Sequence, residues 1–298
     1  MTTQNSKSKT LKAFGDILND KTSGSAAILN NVISVFQELT SEQVSPDFAQ
    51  LIHLLNRLKD AFGNFAVVYH FVSRAMDLLK AGDIENLRAF LQHYKKEWKD
   101  AVRQTAAHMS DHIKDHQFNS VLIHSNSSAI YAFCEELTEH GRFPVLYQTF
   151  SGPAGEGRNQ VSQAIMKDFE IHFFHENAAS RFIHDIDIAL FGADIITDQY
   201  VVNKAGTYPL ALLCREFNIP VYVLVDSRKF IYEENTPTAD FNQLITEKVK
   251  NPRELWPNPP ANVKVVNYYF EKMPLSLVSA VISEKGIIYE NGRWKTNF

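Results

Sequence analysis

The sequence is short of cysteine, and it has neither a block of basic residues nor a long apolar run. Its two cysteines, Cys134 and Cys214, lie within helical patterns, so no disulfide framework is expected and a reducing compartment is favoured. The formal net charge is −4 over 298 residues, and without a basic cluster this argues against direct nucleic-acid binding. No apolar stretch reaches membrane-spanning length, and the N-terminal segment is polar. We therefore expect a cytoplasmic protein with no membrane partner.

Glycine and proline are nearly absent from the first part of the chain, between about residues 24 and 118. Apolar residues recur there at intervals of three and four, for example over 46–63, which is typical of amphipathic helices. Residues 83–116 continue this pattern as one long helix or two. The spacing predicts an all-helical domain over residues 1–118.

Near residue 119 the pattern changes to short apolar runs that alternate with helical segments. Such alternation predicts a doubly wound, Rossmann-like parallel sheet over residues 119–298, and hence an α/β fold behind the helical domain. In sheets of this kind, ligands bind beyond the carboxyl ends of the strands. The predicted strands are 120–124, 144–148, 170–174, 187–191, 220–225 and 263–268.

Polar residues are concentrated in the loops that follow these strands. Ser125 and Asn126 precede a helix, where they could hold a phosphate at the positive helix end or, through Asn126 or Ser127, simply cap the helix. After the fourth strand, Asp194 could orient a hydroxyl or move a proton, while Lys204 could bind a phosphate. The simpler interpretation is a structural salt bridge between Asp194 and Lys204.

Two further loops carry cations. Lys229 and its neighbour Arg228 follow the fifth predicted strand, either as part of a site or as solvated surface charge. Arg158 ends a loop with three glycines, which could cradle an anion, although its order G-x-x-G-x-G is not the dinucleotide fingerprint. Glu176 lies where a ribose-binding acid would stand, so a nicotinamide-dependent oxidoreductase is a distant alternative to a flexible glycine turn.

Histidines offer no recognisable metal pattern. His172 and His175 would point to opposite faces of a strand, and no cysteine or second histidine stands at helical spacing to help them or His124. No G-x-S-x-G nucleophile elbow is present, and no acid–base pair for Ser125 can be assigned from the sequence. We expect neither a metal nor a cofactor.

Several stretches together resemble one protein family. They are VLIHSNSSAI, EGR at 156–158, GADIITDQYVVNKAGTYPLAL, PVYVLVDSRKF and FEKMPLSLVSAVISEKGI, which span most of residues 119–290. SGSAAIL at 23–29, which contains Gly24, is similar to that family's early glycine–alanine turn. The family contains the alpha, beta and delta subunits of the exchange factor for translation initiation factor two. It also contains isomerases of methylthioribose 1-phosphate and ribose 1,5-bisphosphate.

This resemblance implies roles for particular residues. In the isomerases, a cysteine and the aspartate of G-A-D carry the proton transfers, and these positions match Ser125 and Asp194 here. Asn203 and Lys204 match the ligand-binding asparagine–lysine pair, and Lys229 matches a lysine in the next strand-end loop. The resemblance also implies a homodimer formed mainly through the C-terminal domain. Further ligand contacts are expected from Arg158, Asn126 and Gly24.

The chain departs from the isomerases at three positions. Ser125 replaces the cysteine, and a hydroxyl titrates far above a thiol, whose ordinary pKa is about 8.5. The early turn around Gly24 lacks an arginine, and Gly152 stands where the isomerases have another. We therefore expect a protein that binds a phosphorylated sugar or nucleoside monophosphate without efficient isomerase activity. The resemblance also allows a regulatory role in translation. The main alternative is an aldose–ketose isomerase with altered catalytic residues.

Overall fold

The computed structural model describes residues 2–20, 23–43 and 45–295, with side chains described from residue 8 onward. The helical prediction for the first part is confirmed, and residues 83–116 contain a single long helix of 29 residues. The first helix was not singled out in the sequence, because residues 2–10 are polar. Its second half carries the apolar spacing of Leu11, Phe14 and Leu18, which pack in the helical core. The helices are α1 (Thr2–Leu18), α2 (Ser25–Leu39), α3 (Phe48–Phe62), α4 (Ala66–Lys80) and α5 (Ile84–His112).

These helices share an apolar core. Phe36 of α2 and Phe71 of α4 meet edge to face within it, with their ring centroids 6.2 Å apart. Asp47 and Asp83 fix the starts of α3 and α5, since their carboxylates accept hydrogen bonds from the backbone N–H groups of Gln50 and Asn86. The capping residues and the apolar faces therefore indicate the same helix boundaries.

An eight-stranded sheet forms the second part of the chain. Its order is β11-β10-β9-β7-β4-β1-β2-β3, and the pairs from β3 across to β9 are parallel. The strands are β1 (Ser120–His124), β2 (Val145–Thr149), β3 (Ile171–Phe174), β4 (Ile188–Phe191), β7 (Val221–Leu224), β9 (Ala280–Ser283), β10 (Gly286–Glu290) and β11 (Arg293–Trp294). Five predicted strands are confirmed as β1, β2, β3, β4 and β7.

The sixth predicted strand is wrong. Residues 263–268 run through a long loop without a sheet partner, and Val263, Val266 and Tyr268 are exposed. Apolar composition alone suggested a strand there, but the segment pairs with no strand, and its buried side chain is the polar Asn267. The antiparallel strands β9–β11 at the C-terminal edge were not predicted.

A second, three-stranded antiparallel sheet was also missed. It has the order β5-β6-β8 and consists of β5 (Ile195–Ile196), β6 (Tyr200–Lys204) and β8 (Phe270–Pro274). β5 has only two residues and β8 carries charged side chains, so neither gives a strand signal. This small sheet matters for the site because β6 ends at Asn203 and Lys204.

The remaining helices connect the strands. They are α6 (Ser128–Glu139), α7 (Gly157–Val161), α8 (Thr207–Glu216) and α9 (Thr238–Ile245). The fold is therefore α/β, with a helical N-terminal region and a largely parallel central sheet, as predicted. Within the described residues, no helix has both the length and the apolar character needed to cross a membrane.

The long helix α5 contacts both parts of the molecule. Leu87 and Leu91 in its first half pack in the helical core, whereas Ala106 and Met109 in its second half pack with the sheet and α6. The division into two domains at residue 118 stays a prediction, since one helix contributes to both cores.

Candidate functional site

A cavity of about 850 Å³ lies between the helical region and the carboxyl ends of β1, β4 and β7. This is the edge of a parallel sheet where ligands are expected, and the volume is in the range of small-molecule sites. Six of the eight residues predicted for the site line this cavity, and two do not. The lining residues are Gly24, Ser125, Asn126, Asp194, Asn203 and Lys229.

Asp194 belongs to a cluster that joins the sheet to the helical region. The Ser25 hydroxyl, at the first residue of α2, donates a hydrogen bond of 3.0 Å to Asp194 Oδ1. Lys229 Nζ lies 2.6 Å from Ser25 Oγ and 3.4 Å from Asp194 Oδ1. Lys229 is buried, so its interpretation as solvated surface charge is wrong. The cluster places a carboxylate, an ammonium group and a hydroxyl on one wall of the cavity.

Ser125 belongs to a second cluster. It follows β1 in the left-handed backbone region, with φ of 72°, and its Oγ donates a hydrogen bond of 3.1 Å to Glu156 Oε2. Lys204 Nζ donates to the other oxygen, Glu156 Oε1, at 2.9 Å. Burial raises the pKa of Glu156, while the neighbouring Lys204 acts in the opposite direction. Ser125 therefore has a carboxylate as its hydrogen-bond partner.

Glu156 is the functional candidate that sequence reasoning missed. The stretch EGR pointed to it only as part of a family likeness, and nothing in the local spacing placed it beside Ser125. A usable signal existed, because Glu156 follows β2 and Ser125 follows β1, and adjacent parallel strands bring their following loops together.

Lys204 does not line the cavity. Its side chain is fully buried behind the wall, where the ammonium group pairs with Glu156 and lies 4.4 Å from the ring centroid of Tyr269. The predicted alternative of an Asp194–Lys204 salt bridge is wrong, since Asp194 pairs with Lys229. Asn203 reaches the cavity, and its amide donates to the Thr207 hydroxyl at 3.0 Å.

Arg158 lies away from the cavity, on the exposed side of the glycine loop. Its guanidinium carbon is 4.6 Å from the ring centroid of Phe150, so this side chain stacks on an aromatic ring and does not reach the lining. Glu176 accepts hydrogen bonds from the backbone N–H groups of Ser151 and Gly152 at 2.9 and 2.8 Å. The carboxylate on which the nicotinamide alternative rested thus holds the loop in place.

The loop after β1 combines capping with access to the cavity. Ser127 is the N-cap of α6, and Asn126 faces the cavity while its Oδ1 accepts from Gln163 Nε2 at 3.3 Å. His124 is buried, and burial lowers its pKa to about 4, which leaves the ring neutral at pH 7. Among the residues the structure describes, no group of three or more His, Cys, Asp or Glu side chains could hold a metal ion.

A helical region packed over the carboxyl edge of a largely parallel sheet, with a cavity between them, defines an α/β class of protein. The chain belongs to the Initiation factor 2 subunit family, whose model matches residues 5–290.

Known relatives differ in their named activities. The chain is 30% identical over 219 residues to a putative translation initiation factor eIF-2B subunit 2-like protein of Pyrococcus horikoshii, covering 73% of this chain and 71% of that protein. It is 30% identical over 172 residues to a ribose 1,5-bisphosphate isomerase of Archaeoglobus fulgidus, covering 57% of this chain and 53% of that protein. The crystal structure of the Pyrococcus horikoshii OT3 translation initiation factor eIF-2B matches with a TM-score of 0.74 at 24% identity. That match covers 94% of this chain and 96% of that one, and it supports the fold alone.

Proposed function

We propose that the cavity binds a phosphorylated sugar or a nucleoside monophosphate, and that the protein isomerises such a sugar inefficiently. The observation that carries this proposal is the cluster of Asp194, Ser25 and Lys229 on the cavity wall. A carboxylate can orient a sugar hydroxyl, and an ammonium group can attract a phosphate. The named activity of the Archaeoglobus fulgidus relative supports the same ligand class.

Two helix starts add to the attraction for an anion. The N-termini of α2 and α6 both line the cavity, and a Cβ atom at Gly24 would lie 3.7 Å from the Asn126 carbonyl oxygen, so the two starts meet. The N-cap of α2 is Gly24, which has no side chain to accept from the first backbone N–H groups of the helix. Backbone N–H groups and the helix dipole favour negative charge at such positions.

Slow chemistry follows from the hydroxyl of Ser125. An aldose–ketose shift needs a group that exchanges protons near pH 7, and a serine hydroxyl is poorly matched to that task. The second candidate function is an isomerase with altered catalytic residues. It is favoured by the 3.1 Å contact between Ser125 Oγ and Glu156, which provides the acceptor that a lone serine would lack.

The proposed function is tested by titrating the purified protein calorimetrically with ribose 5-phosphate, ribose 1,5-bisphosphate and AMP, and by assaying turnover of the bisphosphate. We expect binding by at least one ligand and slow turnover. Absence of heat and of thermal stabilisation with all three would contradict the proposal. Fast turnover that depends on Ser125 would favour the second candidate.

Asp194→Asn is expected to weaken binding about 10- to 100-fold, because a charged hydrogen bond contributes about 1.5–3 kcal/mol. The measurement is the dissociation constant of the ligand that the unmodified protein binds. Asp198→Asn is a matched control, since Asp198 is exposed in the turn between β5 and β6. Tighter binding by Asp194→Asn would show that Asp194 repels the phosphate, which its proposed role does not allow.

We also propose a homodimer formed through the C-terminal region. Among the described residues, the exposed large apolar side chains all lie beyond residue 118. Six lie on one loop, and such a concentration marks an interaction surface. They are Val249, Leu255, Trp256, Val263, Val266 and Tyr268.

Light scattering is expected to give twice the chain mass of 33.9 kDa at micromolar concentration. Trp256→Ser should shift the protein toward monomer, because it removes a large apolar side chain from the loop. Phe217→Ser is the control, since Phe217 is exposed just before β7 and lies outside the loop that carries the six apolar side chains. A monomeric unmodified protein would contradict the dimer.

The proposal also covers the compartment of the protein and its role in translation. Cys134 and Cys214 are free and buried, in keeping with a reducing, cytoplasmic compartment. A regulatory role in translation rests on the likeness to the Pyrococcus horikoshii protein alone.

A further inference from the structure

Three side chains form a line from the cavity into the protein. Ser125 lies at the cavity, Glu156 accepts its hydroxyl at 3.1 Å, and Lys204 donates to the far carboxylate oxygen at 2.9 Å. The Lys204 side chain is 1% exposed and that of Glu156 is 13% exposed. Solvent therefore has limited access to the carboxylate, and Ser125 and Glu156 both line the cavity.

We propose that Glu156 exchanges protons with the bound sugar through the Ser125 hydroxyl, and that this relay carries the protein's residual isomerisation. The inference rests on the proposed function, because it requires a phosphorylated sugar in the cavity. It gives Glu156 a role that acts through Ser125, so Glu156 is a positioning residue with respect to the substrate.

The proton balance of the relay is simple. In the first step the substrate C–H bond breaks, and its proton joins Ser125 Oγ while the Ser125 O–H proton moves to Glu156 Oε2. The C–H electron pair becomes the second bond between C1 and C2, and the bond from C1 to the ring oxygen breaks with its electron pair staying on that oxygen. In the return step Glu156 gives its proton to Ser125, and Ser125 protonates C1 while the 2-hydroxyl oxygen forms the new carbonyl. Asp194 carries the 2-hydroxyl proton to the ring oxygen, so no proton is gained or lost overall.

The surroundings of Glu156 suit this exchange. Burial raises its pKa toward the working range of a general base, whereas Lys204 and the Ser125 hydroxyl favour its charged form. Asp194 and Tyr269 are the other titratable groups whose charges act on it or respond to it. Burial thus makes the carboxylate a stronger base, while its hydrogen bonds from Lys204 and Ser125 favour the charged form that accepts a proton.

A merely structural carboxylate is the competing explanation. Glu156 would then only neutralise the buried Lys204, and its removal would destabilise the fold because a buried charge would lose its partner. The two explanations differ in how Glu156 and Ser125 depend on each other. Removing either Ser125 or Glu156 would stop proton transfer through a relay. The ion pair between Glu156 and Lys204 does not depend on the Ser125 hydroxyl.

The experiment is a double-mutant cycle on turnover of ribose 1,5-bisphosphate. Ser125→Ala and Glu156→Gln should each lower kcat about 100-fold, with KM changed less than about twofold because ground-state binding is untouched. The double variant should be no slower than either single variant. Glu170→Gln, an exposed glutamate beside β3, is the matched control and should leave kcat unchanged.

The pH profile provides a second readout. In the unmodified protein, kcat should rise with pH through the pKa of Glu156, because only the carboxylate accepts a proton from Ser125. Glu156→Gln should lose this acid limb, and Glu156→Asp should keep it. The relay would be overturned if the two substitutions lowered kcat independently, so that their effects multiply in the double variant. It would also be overturned if Glu156→Gln kept the rise of kcat with pH.

Folding defects are separated from chemistry by a paired substitution. Glu156→Gln with Lys204→Met removes both charges, so no buried ammonium group is left unpaired. A relay predicts a folded, ligand-binding and slow protein, whereas restored turnover would overturn it. Ligand binding without any turnover in the unmodified protein would overturn the relay and leave the proposed binding function intact. Absence of binding would overturn both.

Discussion

Replacing Asp226 with asparagine is expected to lower the free energy of unfolding by about 3–5 kcal/mol, the usual cost of breaking a buried ion pair from one side. Asp226 follows β7 and is buried with Arg228. Nε and Nη2 of Arg228 each donate a hydrogen bond of 2.8 Å to the carboxylate, one to each oxygen. The substitution removes the charge that this bidentate pair requires.

The guanidinium of Arg228 is buried against aromatic side chains. Its carbon lies 4.3 Å from the ring centroid of Trp98, and Nη1 donates to the Tyr94 hydroxyl at 3.2 Å. Both aromatic residues belong to α5, so the pair also fixes this helix against the end of β7. Without its carboxylate partner, the Arg228 guanidinium would remain buried against these rings. The cost of keeping that charge away from water would then lower the free energy of unfolding.

The pH dependence has a definite sign. Burial alone would raise the pKa of Asp226, but the charge and hydrogen bonds of Arg228 outweigh it and hold that pKa below its usual value. A carboxyl group with a lowered folded-state pKa contributes stability that is present above its unfolded pKa, about 3.9, and is lost as the pH falls through the folded-state pKa. Asp226→Asn should therefore be less stable at pH 7 and lose less on acidification.

Urea denaturation at pH 7 and at lower pH measures both effects. Asp240→Asn is a matched control, because Asp240 pairs with Lys59 at 2.9 Å while both side chains are about a third exposed. Exposed pairs contribute only about 0–1 kcal/mol. A loss below about 1 kcal/mol for Asp226→Asn would mean that Arg228 finds another partner, and would contradict the prediction.

The central parallel strands β1, β4 and β7 could be predicted because burial on both faces makes them continuous apolar runs. The same signal failed at residues 263–268, where apolar side chains are exposed on a loop. It also missed β5, which has two residues, and β8, whose sequence FEKMP includes charges. These short strands depend on partners in space more than on their own composition.

The site could be predicted only to the level of loops. Strand ends indicated Ser125, Asp194 and Lys229, but the pairing of charges depends on which strands are neighbours. β4 lies between β7 and β1, and Asp194 takes Lys229 from the loop after β7 as its partner. Its other partner, Ser25, is 169 residues away in the sequence. No local pattern could have supplied that contact.

Ser125→Cys is expected to raise turnover of ribose 1,5-bisphosphate about tenfold or more, since a well-matched acid–base group contributes about 10²–10⁴-fold. The thiol has an ordinary pKa of about 8.5 and exchanges protons far more readily than a hydroxyl near pH 7. Serine and cysteine have similar shapes, so the left-handed backbone at residue 125 should tolerate the change. The gain is limited, because neither Gly152 nor the turn around Gly24 supplies an arginine to hold a phosphate.

Steady-state turnover by the unmodified protein and the variant is the measurement, with Ser162→Cys as a control that adds an exposed thiol at the end of α7. The dependence of turnover on Glu156 should also change. A thiol exchanges protons without a relay, so Glu156→Gln should slow the Ser125→Cys protein much less than it slows the unmodified one. Turnover that falls in Ser125→Cys would show that the hydroxyl is the better group in this site, and the missing thiol would no longer explain slow chemistry.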